Sequence, residues 1–304
     1  MGPTGSGKSG LALQLARNLN GAVINIDSRQ VYSGLALITA QPSRAERGPI
    51  PHLLYGFLPL SRQTTAGLYS RLALEAIDLC FRCGFQPILV GGTGLYLDAL
   101  VNGIAPIPPI SRNVHEYWQM RLQRAGIRRL HTELAQVDSE YAAKISNNDP
   151  QRVTRALEVW IGTGRTLSWW HRRPVFRIPY PVLKLGVRAP LSGLTDALAE
   201  RIEAMLAQGA LTEVKTALQA ADDGNMPGFS SIGFQELAGY LRGDMSIEAC
   251  KEQWLAATRA YAKRQLTWFK RDQDIRWLER SPGDSLTDLT ERAFQYLALS
   301  GVRT

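Results

Sequence analysis

The sequence predicts an α/β fold with a parallel sheet and an inserted helical subdomain. Three observations support this. A glycine-rich loop opens the chain, short apolar runs at 22–26 and 86–90 alternate with helix-like segments, and a proline-rich stretch at 105–110 interrupts the pattern. Strands that alternate with helices form parallel sheets with crossover helices. The chain has 304 residues, of which 45% are apolar, so it can form one large or two modest domains.

The segment GPTGSGKS at 2–9 matches the phosphate-binding pattern G-x-x-x-x-G-K-[ST], and a helical pattern follows over 10–19. Its glycines let backbone N–H groups close around phosphate oxygens at the positive end of the helix. Lys8 adds a charge for the terminal phosphate, and Ser9 is a candidate ligand of Mg²⁺. The predicted phosphate-binding residues are Gly2, Pro3, Thr4, Gly5, Ser6, Gly7, Lys8 and Ser9.

A loop of this kind normally follows a central strand, yet only Met1 precedes Gly2. Either the reading frame continues upstream of Met1, or the sheet lacks its first strand. We favour the first interpretation, because an empty central position would leave the backbone groups of two strands unpaired.

The apolar run 22–26 is predicted to be a buried strand that places Asp27 at its carboxyl end, where parallel sheets bind ligands. Asp27 is a candidate base for a substrate hydroxyl in a small-molecule kinase, a candidate base for a nucleophilic amine, or a turn residue. The strand at 86–90 runs into Gly-Gly-Thr-Gly rather than into a magnesium-binding acid, which weakens an NTP-hydrolysing interpretation. Thr93 in this turn either approaches a phosphate or nucleotide closely or is structural.

The proline-rich stretch predicts a domain boundary. We predict a catalytic core of residues 1–110 and 175–304 and an inserted helical subdomain of residues 111–174. In the insertion, Asp149 and Pro150 are typical of a helix start, and Arg152 and Arg155 share one helix face. That face either grips phosphate or is simply solvated. A strand near 180–188 is expected to rejoin the main sheet, and the remaining chain is predicted to be mainly helical.

The last long helix, predicted near 247–271, combines cations with aromatic residues. Such a pattern suits RNA better than a membrane surface, although the aromatic residues could instead belong to the core. The residues concerned are Arg259, Tyr261, Lys263, Arg264, Trp268, Phe269, Lys270 and Arg271.

The amino-acid composition gives further information about possible partners and cellular location. The formal net charge of +8 is compatible with a polyanionic partner but does not require one. Three cysteines cannot form a disulfide framework, so a cytoplasmic location is expected, and Cys80 and Cys83 are interpreted as structural thiols. We expect no signal peptide, membrane span or obligate protein partner.

Taken together, these segments resemble the tRNA dimethylallyltransferase (isopentenyltransferase) family over nearly the whole chain. The matching stretches are GPTGSGKS at 2–9, DSRQVYSG at 27–34, ILVGGTGLYLDAL at 88–100, NDPQRVTRALEVWIGTGRTLS at 148–168, GFQEL at 233–237 and RAYAKRQLTWFKR at 259–271.

The resemblance implies a P-loop nucleoside-kinase-like fold. It also implies an enzyme that transfers a dimethylallyl group from dimethylallyl diphosphate to N6 of adenine 37, in the anticodon stem-loop of tRNA. It implies that the loop at 2–9 holds the diphosphate with Mg²⁺ near Ser9, and that Asp27, Thr93 and Arg201 serve catalysis. The residues implied to contact tRNA are Asp27, Ser28, Arg29, Gln30, Thr93, His115, Gln151, Arg152, Val153, Thr154, Arg155, Lys263, Arg264, Gln265, Trp268 and Arg271.

Several positions depart from the family pattern. TAQP stands at 39–42 where TAKP is usual, Ala36 and Ile38 replace an aspartate and a glycine, and Ala197 stands at one of two usual arginines. These departures keep three alternatives open: an ATP-dependent small-molecule kinase, a prenyltransferase acting on free nucleotides, and an impaired homologue that binds tRNA without catalysis.

Overall fold

The computed structural model describes residues 1–173, 175, 177–221, 226–281 and 283–299. Contacts divide the chain into two compact units. The first unit comprises Met1–Val101 with Ile178–Thr304, and the second comprises Asn102–Arg177.

The described residues form five strands and fourteen α-helices. The strands are β1 Gly21–Asn25, β2 His52–Leu53, β3 Gln86–Val90, β4 Leu185–Arg188 and β5 Arg276–Glu279. The helices are α1 Lys8–Asn18, α2 Arg44–Arg47, α3 Ala66–Arg82, α4 Gly94–Val101, α5 Arg112–Ala125, α6 Ile127–Val137, α7 Ser139–Ala142, α8 Pro150–Thr163, α9 Leu167–His171, α10 Leu191–Ala207, α11 Ala210–Gln219, α12 Phe234–Arg242, α13 Ile247–Phe269 and α14 Leu286–Leu299. None of these helices is long and apolar enough to cross a membrane.

Two parallel sheets lie in the first unit. β1 pairs with both β2 and β3, which gives the strand order β2-β1-β3, while β4 and β5 form a second sheet. The five residues of β1 are fully buried, as predicted for a run of small and branched apolar residues between helices. Its carboxyl end delivers Asp27, and that of β3 delivers the Gly-Gly-Thr-Gly turn.

The prediction that the segment at 180–188 rejoins the main sheet was wrong. β4 instead pairs with β5, with Leu185 opposite Arg276 and Arg188 opposite Glu279. β5 lies in a region that was predicted to be mainly helical, and its four residues are too few to display a reliable alternating pattern.

No described strand precedes the glycine-rich loop, and Met1 takes a place beside β4. The Met1 amine donates to the Leu185 carbonyl at 2.7 Å, and the Val187 amide donates to the Met1 carbonyl at 2.9 Å. A cavity of about 210 Å³ is lined by residues of β3 and β4 and by Leu11 and Leu15 of α1. The two sheets are therefore separated by an apolar space at the position where such a loop normally has its own strand.

The second unit is a helical domain with its own core. Trp118, Leu130, Leu134, Val153 and Leu157 come from α5, α6 and α8 and are almost fully buried together. This agrees with the predicted all-helical character of the insertion.

Candidate active site

The glycine-rich loop forms a tight turn that ends where α1 begins, at Lys8. Gly5 and Gly7 have φ angles of 81° and 90°, which favour glycine. Space is also tight, because a Cβ on Gly5 would lie 3.0 Å from Leu198 and one on Gly7 would lie 2.9 Å from Nη1 of Arg280. The loop therefore leads directly into a helix N-terminus, the end that attracts anions.

A cavity of about 340 Å³ lies beside this loop. Four charged residues line it: Lys8, Asp27, Arg29 and Arg201. Helix α10, which carries Arg201, adds an apolar wall formed by Leu198, Ile202 and Met205. A charged end and an apolar wall suit a small ligand that has both an anionic group and a hydrocarbon group.

Two of the three cations that line the cavity, Lys8 and Arg201, are partly removed from water. The pKa of Lys8 is lowered to about 8, mainly by burial and also by Arg201, against the opposing influence of Asp27. Burial also lowers the pKa of Arg201, against the influence of Asp27 and Glu46. A bound anion would favour the charged form of both groups, so the cavity is suited electrostatically to a diphosphate.

Asp27 is held rigidly at the end of β1. Its amide donates to Oδ1 of Asn25 at 2.9 Å, and its own Oδ1 accepts from the Arg29 amide at 2.9 Å. Asn25 is fully buried and donates in turn to the carbonyls of Asp27, at 3.1 Å, and Leu54, at 2.9 Å. This network fixes the carboxylate without any contribution from a ligand.

Thr93 lies next to this network rather than in the wall of the cavity. Its Oγ1 accepts from the Ser28 amide at 2.9 Å and donates to Oγ of Ser28 at 3.3 Å, while its own amide donates to the Ile26 carbonyl at 3.1 Å. Thr93 thus ties the turn after β3 to the segment after β1. The hydroxyl of Tyr261 on α13 also hydrogen-bonds with Thr93.

Sequence comparison assigns the family. The IPP transferase family model matches residues 30–272. The chain belongs to the IPP transferase family. Its sequence is 49% identical over 279 residues to the tRNA dimethylallyltransferase of Oleidesulfovibrio alaskensis, covering 92% of both chains. It is 50% identical over 277 residues to that of Nitratidesulfovibrio vulgaris, covering 91% of this chain and 90% of the relative.

Solved structures agree with the sequence comparison. The tRNA isopentenylpyrophosphate transferase of Staphylococcus epidermidis is similar with a TM-score of 0.70 and 30% identity, covering 99% of this chain and 98% of the other. A eukaryotic dimethylallyltransferase acting on tRNA is similar with a TM-score of 0.83 and 29% identity, covering 98% of this chain and 78% of the other. The predicted family and the P-loop-like α/β fold are therefore confirmed.

In the first unit of this IPP transferase family member, several predicted RNA-contacting residues are exposed on α13 or just beyond it. They are Lys263, Arg264, Trp268 and Arg271. Near Asp27, Arg29 donates from Nη1 to Oγ of Ser230 at 2.6 Å. The side-chain amide of Gln30 donates to the carbonyls of Thr39 and Ala40, at 3.0 and 2.7 Å, so it supports the loop that forms part of the cavity wall.

In the second unit, Asp149 caps α8 as predicted, since its Oδ1 accepts from the Arg152 amide at 3.0 Å. Gln151, Arg152 and Arg155 lie on the exposed side of this helix. His115, whose side chain is 58% exposed, contacts the buried carboxylate of Glu158 at 2.7 Å. These predicted RNA-contacting side chains of the second unit are thus available to solvent. Three other predicted contacts, two in this unit and one in the first, are buried.

The three buried residues are Val153, Thr154 and Gln265. Val153 is fully buried in the core of the second unit, and the Thr154 hydroxyl donates to the Pro150 carbonyl at 2.7 Å from a buried position. Gln265 is buried in the first unit, facing away from the exposed cations of α13. The burial of these three side chains argues against direct side-chain contact with RNA, and RNA binding at these positions stays a prediction.

Sequence reasoning missed Asn25 and the apolar wall of the cavity. A polar residue inside an otherwise apolar strand was a usable signal for Asn25. The wall was also marked in the sequence, because Leu198, Ile202 and Met205 recur at helical spacing around Arg201.

The described residues contain no cluster of three or more histidine, cysteine or acidic side chains that could hold a metal. This does not disagree with the predicted ion, because Mg²⁺ commonly uses one or two protein oxygens together with phosphate oxygens and water. The Ser9 hydroxyl and the Asp27 carboxylate both line the cavity and are hard oxygen donors of the required kind.

Proposed function

We propose that this protein transfers a dimethylallyl group from dimethylallyl diphosphate to N6 of adenine 37 in the anticodon stem-loop of tRNA and releases diphosphate. The main support is the single cavity that combines the phosphate loop, Lys8, Arg201 and the fixed carboxylate of Asp27 with an apolar wall. The names of the relatives, which are tRNA dimethylallyltransferases, support the same reaction.

In this reaction the N6 amine attacks the allylic carbon that bears the diphosphate. The new C–N bond forms as the C–O bond to diphosphate breaks, and the bonding electrons of that C–O bond leave with the diphosphate. Negative charge therefore grows on the leaving group, where Lys8, Arg201 and the backbone amides of the loop can stabilise it. The dimethylallyl group would lie against Leu198 and Ile202.

An alkylated amine must lose a proton, and a carboxylate beside it can accept one. We assign this role to Asp27, because it lines the cavity and is fixed by Asn25 and by the Arg29 amide. Mg²⁺ held by Ser9 and the diphosphate would neutralise part of the leaving group's charge. The adenine must leave the stack of the anticodon loop to reach this site, as base-modifying enzymes generally require.

The proposal is tested by incubating the full chain with labelled dimethylallyl diphosphate and tRNA, AMP or buffer alone. We expect the label to be incorporated into tRNA only. A tRNA that carries guanosine at position 37 should not be labelled. Transfer to AMP alone would indicate a free-nucleotide prenyltransferase. Turnover of ATP without prenyl transfer would indicate a kinase, and salt-sensitive tRNA binding without transfer would indicate an impaired homologue.

A further inference from the structure

Gln265 connects the phosphate loop to the turn after β3. It lies in the middle of α13 with a side chain that is 4% exposed. Its Oε1 accepts from the Thr4 amide at 2.9 Å, and its Nε2 donates to the Gly92 carbonyl at 3.0 Å. Both polar ends of one buried side chain are therefore used, one on each of two loops that are far apart in sequence.

The Gly-Gly-Thr-Gly turn is shaped to receive this helix. A Cβ on Gly92 would lie 1.9 Å from Nε2 of Gln265, and a Cβ on Gly94 would lie 2.0 Å from the ring of Trp268. A larger residue would require a shift of the Gln265 side chain at position 92, and a movement of the Trp268 ring or of the helix at position 94. The two glycines thus serve the approach of α13, and not only an approach of phosphate as the sequence suggested.

The phosphate loop and the turn after β3, which Gln265 joins, hold the groups that must act together on the two substrates. Thr4 belongs to the phosphate loop and lines the cavity. Gly92 precedes Thr93, which binds the amide of Ser28 directly after Asp27. A change in the distance between these loops would alter the position of the phosphate loop relative to the Asp27 carboxylate.

We infer that Gln265 is a positioning residue that sets the distance between the diphosphate and the acceptor amine. The inference rests on the proposed function, because it assigns the phosphate loop to the diphosphate. Gln265 does not touch the substrates. It acts through Thr4 and Gly92, so its loss should impair transfer while leaving RNA binding by the exposed face of α13 intact.

The first test replaces Gln265 with methionine, which has a similar length but neither polar end. We expect Gln265→Met to lower the single-turnover rate of prenyl transfer to tRNA about 10- to 100-fold and to weaken binding of inorganic pyrophosphate about tenfold, with tRNA affinity changed less than about twofold. Cys250→Ser is the matched control, since Cys250 is fully buried in the same helix and contacts the α11–α12 core. Cys250→Ser should lower the melting temperature without changing the rate of prenyl transfer or the affinity for pyrophosphate.

A second variant keeps the test decisive if Gln265→Met folds poorly. In Gln265→Glu, an ionised carboxylate can accept from the Thr4 amide but cannot donate to the Gly92 carbonyl, whereas a neutral carboxylic acid can do both. Transfer by this variant, divided by that of the wild type, should rise as pH falls from 8 to 6. A ratio that is independent of pH, or a Gln265→Met protein with wild-type transfer and pyrophosphate binding, would overturn the inference.

The outcomes also separate this inference from the proposed function. If the wild-type chain transfers no prenyl group but Gln265→Met still weakens pyrophosphate binding, the proposed function fails, while the part of the inference that places the phosphate loop under the control of Gln265 stands. If the wild type transfers the group and neither Gln265 variant differs from the Cys250→Ser control, the positioning role alone fails.

Discussion

Asp27 is the residue whose role follows most directly from its surroundings. Its position after a buried strand could be predicted from the sequence, and the structure places it in the cavity with Lys8 and Arg201. The sequence marked Asn25 as a polar residue in an apolar strand, but its hydrogen-bond partners could not be predicted, because a buried side chain finds its partners through the fold and not only through neighbouring residues. Asn25 binds Leu54, which is 29 residues away in the chain.

Replacing Asp27 with asparagine should remove the base while preserving the turn, because the amide oxygen can still accept from the Arg29 amide. We expect the single-turnover rate of prenyl transfer to fall about 100- to 10,000-fold, with tRNA affinity nearly unchanged. Asp244→Asn is a suitable control, since Asp244 is exposed and paired with Arg242. Loss of tRNA binding with an unchanged rate would refute the assigned role.

The lowered pKa of Lys8 gives the free site a characteristic pH dependence. With a pKa of about 8, the ammonium is charged below pH 8 and neutral above it, and only the charged form attracts a diphosphate. The affinity for pyrophosphate of the wild type, divided by that of Lys8→Met, should fall about tenfold between pH 7 and pH 9. Using the ratio cancels the titration of pyrophosphate itself, and a constant ratio would contradict the assignment.

At the scale of secondary-structure elements, the sequence predicted the helices and strands whose hydrophobic pattern is long or uniform. β1, β3 and α13 were all predicted within a few residues of their observed bounds, whereas β2 and β5, with two and four residues, carried too little pattern. The burial of two predicted RNA-contacting side chains has a similar cause. Val153 and Thr154 were assigned with their sequence neighbours, but consecutive residues of a helix point in different directions, and these two face the core.

The exposed cations of α13 lead to a prediction about RNA affinity. The double variant Lys263→Ala with Arg264→Ala should weaken tRNA binding and reduce the slope of log affinity against log salt by about 2, roughly 1 for each lost phosphate contact. Prenyl transfer at saturating tRNA should change little. Lys251→Ala with Arg242→Ala removes the same charge from residues paired with Glu203 and Asp244, and should leave the slope unchanged. Equal slopes in the two double variants would make this surface structural.

At the scale of the whole molecule, the family and the reaction could be predicted because several motifs occur in the right order over most of the chain. The separation of the sheet into β2-β1-β3 and β4-β5 was harder to predict, because it depends on which strand edges remain unpaired.

The space between β3 and β4 can be tested by filling it. Five β-branched apolar residues added before Met1 should pair with both strand edges and bury apolar surface. We expect the free energy of unfolding to rise by at least about 2 kcal/mol, seen as a higher melting temperature. Five added glycine and serine residues provide the length control. Equal melting temperatures for the two extended chains would show that the space does not accept a strand.

Helix α13 has an exposed cationic face and a buried face against the active-site loops, and this limits how its sequence can evolve. Lys263 and Arg264 are exposed, while Gln265, one residue later, is buried against the loops of the active site. Substitutions can alter either face separately. Inserting or deleting one residue, however, turns all following side chains by about 100° around the helix axis, so they no longer lie on the faces that they occupy now. The stretch from Tyr261 to Trp268 should therefore accept many replacements but no change in length.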